Sequence, residues 1–255
     1  MSVRAGSPAL TGAPVGARSA EAYVAATLAG LAALRRSAGW GWLEISRPGP
    51  TAAFSRRDTL APGYPAAAEA ARRHGFEPVV RPAGGRLAAY HHGAVVVDLV
   101  ARHPAPAAET DQRFAAFAGA VAAALRALGV DARVGPVPGE YCPGRFSVNA
   151  GGRTKLAGIA QRLTGGSFLL TAVVLVADPE PVQAVLGEAY PRLGLPWEPA
   201  TVGCVADHLG WVTTAQVRAA VLTALTERLP LGAPASAPAG GGLRLPLLDR
   251  WQPGR

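Results

Sequence analysis

Two pairs of adjacent glycines divide the segment 133–177 into apolar runs, and this pattern limits the fold more than any other feature of the sequence. The runs read FSVNA, RTKLAGIAQRLT and SFLLTAVVLVA, with Gly-Gly pairs at 151–152 and 165–166 between them. Adjacent glycines form the tight turns that join antiparallel strands. We therefore expect consecutive hairpins, and with them an antiparallel or mixed sheet.

The rest of the chain supplies helices and further short strands. Asp178 is the expected N-cap of one helix, and Thr213 with Gln216 has capping-box spacing at the start of another. The order of elements predicts an α+β fold, a mixed or antiparallel sheet flanked by helices in a single domain. Helices are expected over 20–37, 64–75, 108–129, 178–193 and 213–229, and strands over 40–46, 50–56, 77–82, 86–92 and 94–101.

Composition sets the ends of this domain. Residues 1–17 and 231–255 are rich in Pro, Gly, Ala and Ser, so we expect flexible tails on either side of one domain over 18–230. The longest dense apolar run, FLLTAVVLVA, is shorter than the roughly 18 to 20 residues that cross a bilayer. The N-terminus lacks the apolar stretch of a signal peptide. The short apolar run predicts a soluble protein. Two cysteines are too few for a disulfide framework, so we expect the reducing cytoplasm.

The net charge of +8 favours acidic partners, which include nucleic acid, membranes and acidic proteins. The arginines are scattered, and no basic run with interleaved aromatic residues is present. Such runs are typical of nucleic-acid-binding surfaces. We expect neither nucleic acid nor a membrane as the partner.

Lys155 is the only lysine in a chain that has 25 Lys and Arg residues in total. A lysine presents a compact charge on a flexible stem, and it can approach a single oxygen that a guanidinium would crowd. Lys155 is thus either a point donor in a site or the one solvated lysine that the surface retains. The hairpin pattern places it just past the turn at 151–152.

Cys142 lies in GEYCPGRFSVN, where Pro143 predicts a loop because proline breaks regular pairing. An unperturbed thiol has a pKa of about 8.5, and cationic neighbours lower it towards the nucleophilic thiolate. Arg145 in the same loop and Lys155 are the candidate cations. Cys142 is either a nucleophile or an inert small apolar residue, and Cys204, which lies among apolar residues, is expected to be inert.

The segment VVRPAGGRLAAYHHG, over 79–93, holds a third candidate. A strand that runs into adjacent glycines lets backbone amides approach a phosphate or a carbonyl oxygen, although a plain turn would have the same sequence. His91 and His92 follow without any Cys, Asp or Glu at ligand spacing. We therefore expect surface histidines there, and no metal site.

Taken together, PTAAFSRRD, VVRPAGGRLAAYHHG and EYCPGRFSVNAGGRTKLAGIAQR resemble the lipoate-protein ligase A and octanoyltransferase family, within the biotin and lipoate protein ligase superfamily. The resemblance spans roughly 20–229. It is closest to the cysteine-dependent octanoyltransferase and lipoyl-amidotransferase branch, because ATP-dependent ligases generally lack a cysteine in the CPG setting. The fold that it implies is the catalytic domain of that superfamily.

The resemblance also implies roles for individual residues. Cys142 would form the thioester and Lys155 would contact the acyl carbonyl. The expected acyl-binding residues are Arg81, Gly84, Gly85, Gly158 and Gln161.

The implied activity is transfer of an octanoyl or lipoyl group to the lysine of a lipoyl domain, with no cofactor. The first alternative is a lipoate-protein ligase that uses ATP and magnesium and acts through lipoyl-adenylate. The second is a non-catalytic binding protein for acylated carrier domains. Implied partners are acidic lipoyl-domain proteins, namely the glycine cleavage H protein and E2 subunits of 2-oxoacid dehydrogenases, together with acyl carrier protein as a donor.

Overall fold

The computed structural model describes residues 19–233 and 242–253. The helices in these ranges are α1 (Ala20–Leu34), α2 (Tyr64–Arg73), α3 (Thr110–Ala127), α4 (Glu180–Arg192), α5 (Ala206–Leu209) and α6 (Thr214–Thr226). The strands are β1 (Gly41–Ser46), β2 (Thr51–Phe54), β3 (Glu77–Val80), β4 (Ala88–Tyr90), β5 (Ala94–Arg102), β6 (Ala132–Val134), β7 (Val148–Ala150), β8 (Thr154–Thr164), β9 (Ser167–Leu175) and β10 (Leu243–Pro246).

Seven strands form a large sheet in the order β10-β1-β5-β9-β8-β7-β6, and every neighbouring pair in it is antiparallel. The two Gly-Gly turns make the predicted hairpins: Asn149 lies opposite Lys155, and Thr164 lies opposite Ser167. A small sheet has the order β3-β2-β4, with β2 and β3 parallel. The predicted α+β fold, with helices flanking a mixed arrangement of strands in one domain, is confirmed.

Two apolar clusters lie on opposite faces of the large sheet. Alternate residues of β5 divide between them, because successive side chains of a strand point to opposite faces. Val95, Val97 and Leu99 pack with helices α3 and α6. Ala94 and Val96 pack with the small sheet, α2 and α4. The second cluster also takes in Tyr141 and Cys142 from the segment between β6 and β7, which positions the site described below.

The helix ends follow the sequence signals in part. Thr213 and Gln216 form the predicted capping box of α6. The N-cap prediction for α4 is wrong, because the helix begins after Pro179 and Asp178 adopts a φ of +57°. Aspartate tolerates this left-handed conformation better than most residues, so Asp178 completes the turn that precedes the helix. Within the described ranges, no helix combines the length and the apolar character needed to cross a membrane.

Over residues 242–253, the C-terminal segment departs from the flexible tail that the sequence predicts over 231–255. Strand β10 pairs with β1 along the edge of the large sheet. Leu245, Leu247 and Trp251 are buried, and the Trp251 ring lies 6.1 Å from that of Phe168. The alternating apolar residues of LRLPLL pack onto the sheet. The free energy of burying them outweighs the preference of the surrounding Pro and Gly residues for a loop. The tail predicted over 1–17 lies outside the described residues.

Candidate active site

One cavity of about 340 Å³ brings together all seven residues that the sequence singles out for a site. It lies between the loop that follows β3, the segment that carries Cys142, and β8. Phe114 and Phe146 stack in its wall with ring centroids 5.3 Å apart, and Ile159 and Val173 add further apolar surface. The seven predicted residues that line it are Cys142, Lys155, Arg81, Gly84, Gly85, Gly158 and Gln161.

The Cys142 thiol contacts two nitrogen donors in this cavity. Its Sγ atom lies 3.3 Å from the backbone nitrogen of Arg86 and 3.4 Å from Nη2 of Arg81. Burial raises the pKa of Cys142, but the charges of Arg81 and Lys155 and the Arg86 amide lower it, and the net shift is downward. These contacts favour the thiolate, which is the nucleophilic form of cysteine.

The cations at the thiol differ in part from those that the sequence suggests. The Arg145 side chain is 73% exposed and pairs with Asp111 at 3.0 Å. Arg81 takes its place at the sulfur, while Lys155 contributes as predicted. Arg81 lies 61 residues before the cysteine in the chain, so only the packing of the two loops brings them together.

Lys155 is 1% exposed, so the alternative of a solvated surface lysine is wrong. Its Nζ atom donates to the carbonyl oxygens of Tyr141 at 3.0 Å and Cys142 at 2.9 Å, and it lies 3.3 Å from Oε2 of Glu140. A Cβ atom on Gly158 would lie 3.3 Å from Cε of the lysine, so this glycine leaves room for the stem. The ammonium group therefore holds the backbone of the cysteine loop.

Glu140 is a residue of the site that the sequence reasoning missed. It is 2% exposed, and its Oε1 atom accepts hydrogen bonds from the Gly144 amide and the Ser147 hydroxyl. A buried ammonium requires a counter-charge, because the desolvation of an unpaired ion costs several kcal/mol. Glu140 is the one acidic residue in GEYCPGRFSVN. That proximity to the cysteine is the signal that would have identified it.

The backbone at Cys142 adopts a left-handed conformation with a φ of +44°. This conformation costs a residue other than glycine about 1–2 kcal/mol, so other contacts must hold it. The Cys142 amide donates to the Tyr190 hydroxyl at 2.6 Å, and that hydroxyl donates to the carbonyl oxygen of Leu87 at 2.8 Å. Tyr190 comes from α4, and no pattern near the cysteine indicates it.

Gly84 and Gly85 have different environments although they are adjacent. Gly85 has a φ of +107°, and a Cβ atom there would lie 2.6 Å from Nη2 of Arg81 and 2.8 Å from Sγ of Cys142. A Cβ atom on Gly84 would meet no atom within 4 Å. The Gly84 amide donates to the carbonyl oxygen of Gln161 at 3.3 Å, which ties the loop to β8. Gly85 is thus the glycine whose missing side chain makes room for the thiol.

The remaining candidates lie away from the cavity. Cys204 is buried, and burial raises its pKa to about 12, in agreement with the expected inert thiol. The surface prediction is wrong for His91, which is 1% exposed and whose ring bonds to the carbonyl oxygen of Asp178, because the segment before α4 covers it. His92 is half-buried. Over 19–233 and 242–253, His, Cys, Asp and Glu residues form no group of three or more that could hold a metal ion.

Residues 65–226, more than half of the chain, match the family described as the lipoyl protein ligase A/B catalytic domain. The chain belongs to this family. The matched range contains every predicted site residue from Arg81 to Gln161.

Two curated relatives share the name octanoyl-[GcvH]:protein N-octanoyltransferase. The protein from Geobacillus kaustophilus (strain HTA426) is 28% identical over 144 residues, which cover 56% of this chain and 50% of the relative. The one from Bacillus velezensis (strain DSM 23117 / BGSC 10A6 / LMG 26770 / FZB42) is 30% identical over 105 residues, which cover 41% and 36%. The matches therefore span half of the relatives' length or less.

Solved structures of lipoate-protein ligases share the fold. A bipartite lipoate protein ligase from Thermoplasma acidophilum, studied with its E2 lipoyl domain, has a TM-score of 0.57 and 22% identity, over 79% of this chain and 77% of that one. Lipoate-protein ligase A bound with ATP has a TM-score of 0.56 and 21% identity, over 78% of each chain. At this level of identity, the likeness supports the architecture alone.

Proposed function

We propose that this protein is an acyltransferase that moves an octanoyl or lipoyl group to the lysine of a lipoyl domain through a thioester on Cys142. The observation that carries the proposal is the cysteine itself, a thiol with a lowered pKa that contacts Arg81 and the Arg86 amide at the wall of a largely apolar cavity. Membership of the lipoyl protein ligase A/B family and the printed names of the two curated relatives support it.

In the first step, the Cys142 thiolate attacks the carbonyl carbon of the acyl donor and a C–S bond forms. The carbonyl oxygen takes up the negative charge, and we assign its stabilisation to Arg81 and the Arg86 amide, the two donors that contact the sulfur. The intermediate collapses when the bond to the donor's leaving group breaks, and that group takes up a proton as it departs. The apolar wall formed by Phe114 and Phe146 would hold the acyl chain.

In the second step, the neutral lysine amine of the acceptor attacks the thioester carbon. The C–S bond breaks, the thiolate returns to Cys142, and the nitrogen releases one proton as the amide forms. Both steps use a single carbonyl carbon beside Sγ, and neither consumes ATP. The proposed reaction therefore needs no cofactor.

Lys155 would affect the reaction at this carbon by holding the loop that carries Cys142. Its ammonium group already has three acceptors, the carbonyl oxygens of Tyr141 and Cys142 and the Glu140 carboxylate. A direct contact with the acyl carbonyl, as the resemblance implies, requires one of these carbonyl oxygens to give way. We assign Lys155 to positioning of the cysteine in the resting enzyme and to a contact with the carbonyl oxygen of the acyl group once Cys142 is acylated.

The donor and the acceptor follow from the same chemistry. The relatives are named for an octanoyl group carried by GcvH, so an octanoylated H protein is the first donor to test, and octanoyl acyl carrier protein is the second. The acceptors would be H protein and E2 lipoyl domains, whose acidic surfaces suit a chain of net charge +8.

The test compares matched cysteine variants by intact-mass spectrometry. After mixing with octanoylated H protein or octanoyl acyl carrier protein, the wild type and Cys204→Ser are expected to gain one octanoyl group, and Cys142→Ser to gain none. Transfer to an unmodified lipoyl domain should fall about 10³-fold or more in Cys142→Ser, as for other nucleophile deletions. Cys204→Ser controls for the loss of a thiol elsewhere.

Three results would overturn the proposal. Modification that occurs only with free lipoate or octanoate together with ATP and magnesium would identify a lipoate-protein ligase. Tight binding of an acylated carrier domain without any adduct or transfer would identify a binding protein. Full transfer activity of Cys142→Ser would exclude a thioester on Cys142.

A further inference from the structure

A second cavity, of about 460 Å³, lies beside the acyl-binding cavity and has a different lining. Four arginines contribute to its walls, whereas the first cavity has two, Arg81 and Arg145, and is lined by the stacked rings of Phe114 and Phe146. Guanidinium groups are suited to carboxylates because they present several donors in a fixed plane. The arginines are Arg56, Arg57, Arg81 and Arg86.

The two cavities meet beside the nucleophile. Arg81, Gly84, Gly85 and Pro143 line both of them, and Pro143 follows Cys142 directly in the chain. Cys142 itself lines the first cavity, and Arg81 and Arg86, which both contact its Sγ atom, separate it from the second. If the acyl chain fills the first cavity, the acceptor lysine has the second, basic cavity left as its route to the thioester.

The outer edge of the basic cavity is exposed but held in place. Arg56 and Arg57 are exposed, and Leu60, three residues further on, is 83% exposed. Between them, Asp58 is fully buried, where it accepts a hydrogen bond from the Ser55 amide at 2.8 Å and lies 3.3 Å from Nη1 of Arg86. We call Arg56, Arg57 and Leu60 the arginine rim. Arg86 links the rim to the nucleophile, because its backbone amide contacts Cys142 Sγ.

We propose that the arginine rim is the docking surface for the acceptor, an acidic protein domain that presents its target lysine next to carboxylate side chains. This inference rests on the proposed function. A lone lysine would be repelled by the arginines along this route, so the acceptor must bring carboxylates that pair with them. Leu60 supplies an apolar contact within the charged surface, as in the centre of many interfaces.

The basic surroundings also assist the chemistry of transfer. An amine attacks a thioester in its neutral form, and nearby positive charges favour loss of the proton from an ammonium group. Once the domain has docked, its lysine enters the cavity close to Arg81 and Arg86 and gives up a proton to solvent. The amine then attacks the carbonyl carbon, and Cys142 leaves as the thiolate.

The experiment separates acylation from transfer. Octanoyl-N-acetylcysteamine, a small neutral thioester, acylates the enzyme, and unmodified glycine cleavage H protein is then added as the acceptor. The double variant Arg56→Glu/Arg57→Glu is compared with Arg35→Glu/Arg36→Glu, a second exposed arginine pair that makes the same change in net charge. Arg35 lies near Arg102, away from both cavities at the nucleophile.

The rim variant is expected to lower kcat/KM for the H protein at least about tenfold, mainly through KM, because charges at a docking surface set the association rate. Its rate of acylation by the small thioester should stay within about twofold of the wild type, since no carboxylate docks in that step. The dependence of transfer on salt should become weaker. The Arg35→Glu/Arg36→Glu variant should transfer like the wild type.

A second variant, Leu60→Ser, keeps the charge and tests the same surface. Equal transfer rates for the wild type, Leu60→Ser and the rim variant would overturn the docking surface while the proposed function stands. An equal loss in both arginine pairs would also overturn it, because net charge alone would then explain the effect. If the wild type is never acylated on Cys142, the proposed function fails first.

Discussion

At the scale of single residues, the kind of positive charge decides what each cation does at this site. Lys155 fits its ammonium group between two carbonyl oxygens and a carboxylate, with its stem close to Gly158. A guanidinium group would not fit that space without displacing the loop. The Nη2 atom of Arg81 contacts both the sulfur of Cys142 and the carbonyl oxygen of Arg86. The sequence uses its one lysine where a point donor is needed.

The first prediction concerns the reactivity of Cys142 with pH. Burial raises the pKa of this thiol, and Arg81 is the foremost of the groups that lower it. In Arg81→Met the pKa should rise, so the thiolate fraction at neutral pH falls and alkylation by iodoacetamide slows several-fold. The measurement is the rate of alkylation between pH 5 and 9, with the midpoint expected at higher pH in the variant.

The control for this prediction is Arg145→Met. Arg145 lies in the cysteine loop but pairs with Asp111 at the surface, so its removal should leave the alkylation profile nearly unchanged. Cys204 should stay unmodified in the folded protein because it is buried and its pKa is about 12. A larger effect from Arg145→Met than from Arg81→Met would contradict the assignment of the charge at the sulfur.

At the scale of elements, the loop between β3 and β4 positions the nucleophile from outside its own segment. Arg81 opens the loop, Gly85 turns it, and the Arg86 amide points at Sγ of Cys142. In the cysteine segment, the backbone at Cys142 is left-handed, and the hydrogen bond from its amide to the Tyr190 hydroxyl of α4 stabilises that conformation. The geometry around the sulfur is therefore set jointly by two loops and a helix.

The second prediction uses the adjacent glycines of this loop as a matched pair. In Gly85→Ala the new methyl group would lie within 3 Å of both Arg81 Nη2 and Cys142 Sγ, at a φ that favours glycine. Arg81 or Cys142 would have to move to make room for the methyl group. A misplacement of about 1 Å at reacting atoms can cost about 100-fold in rate, so we expect the rate of Cys142 acylation to fall about 100-fold. Intact-mass kinetics with the small thioester measure it.

Gly84→Ala is the matched variant, because a Cβ atom there meets no neighbour within 4 Å. Its acylation rate should stay within a few-fold of the wild type. Circular dichroism of both variants distinguishes a local displacement from loss of the fold. Similar rates for the two alanine variants would show that Gly85 makes no special room for the thiol.

At the scale of the whole molecule, the C-terminal segment completes the large sheet. Strand β10 covers the edge of β1, which would otherwise present unpaired backbone groups to solvent. Trp251 closes the apolar cluster beyond β10 and packs against Phe168. The last described residues are therefore part of the folded core, and their loss should destabilise the sheet that carries Lys155.

The third prediction tests this contribution with two tryptophans. Trp251 is 5% exposed and Trp211 is 74% exposed. Trp251→Ala should lower the free energy of unfolding by about 3 kcal/mol or more, the usual loss for a buried aromatic side chain. Trp211→Ala should change it by less than about 0.5 kcal/mol. Urea unfolding at equilibrium measures both, and equal stability of the two variants would place the C-terminal segment outside the core.

The sequence by itself predicted most of the elements, the hairpins and the seven candidate residues that line one cavity in the structure. The Gly-Gly turns and apolar periodicity predicted the order of strands and helices, because these signals are local and act over a few residues. Local signals also indicate the two central residues. Pro143 predicts a loop at Cys142, and Lys155 is the only lysine in the chain. The resemblance carried by these motifs identified the family that the comparison then confirmed.

Only the tertiary structure decided which groups surround the sulfur. Arg81, the Arg86 amide and Tyr190 reach Cys142 from chain positions about 50 to 60 residues away. The burial of the Lys155–Glu140 pair and the pairing of β10 with β1 likewise depend on distant segments. Electrostatic and packing energies depend on distance in space, which local patterns in a sequence do not encode, so these contacts emerge only when the sheets and helices pack.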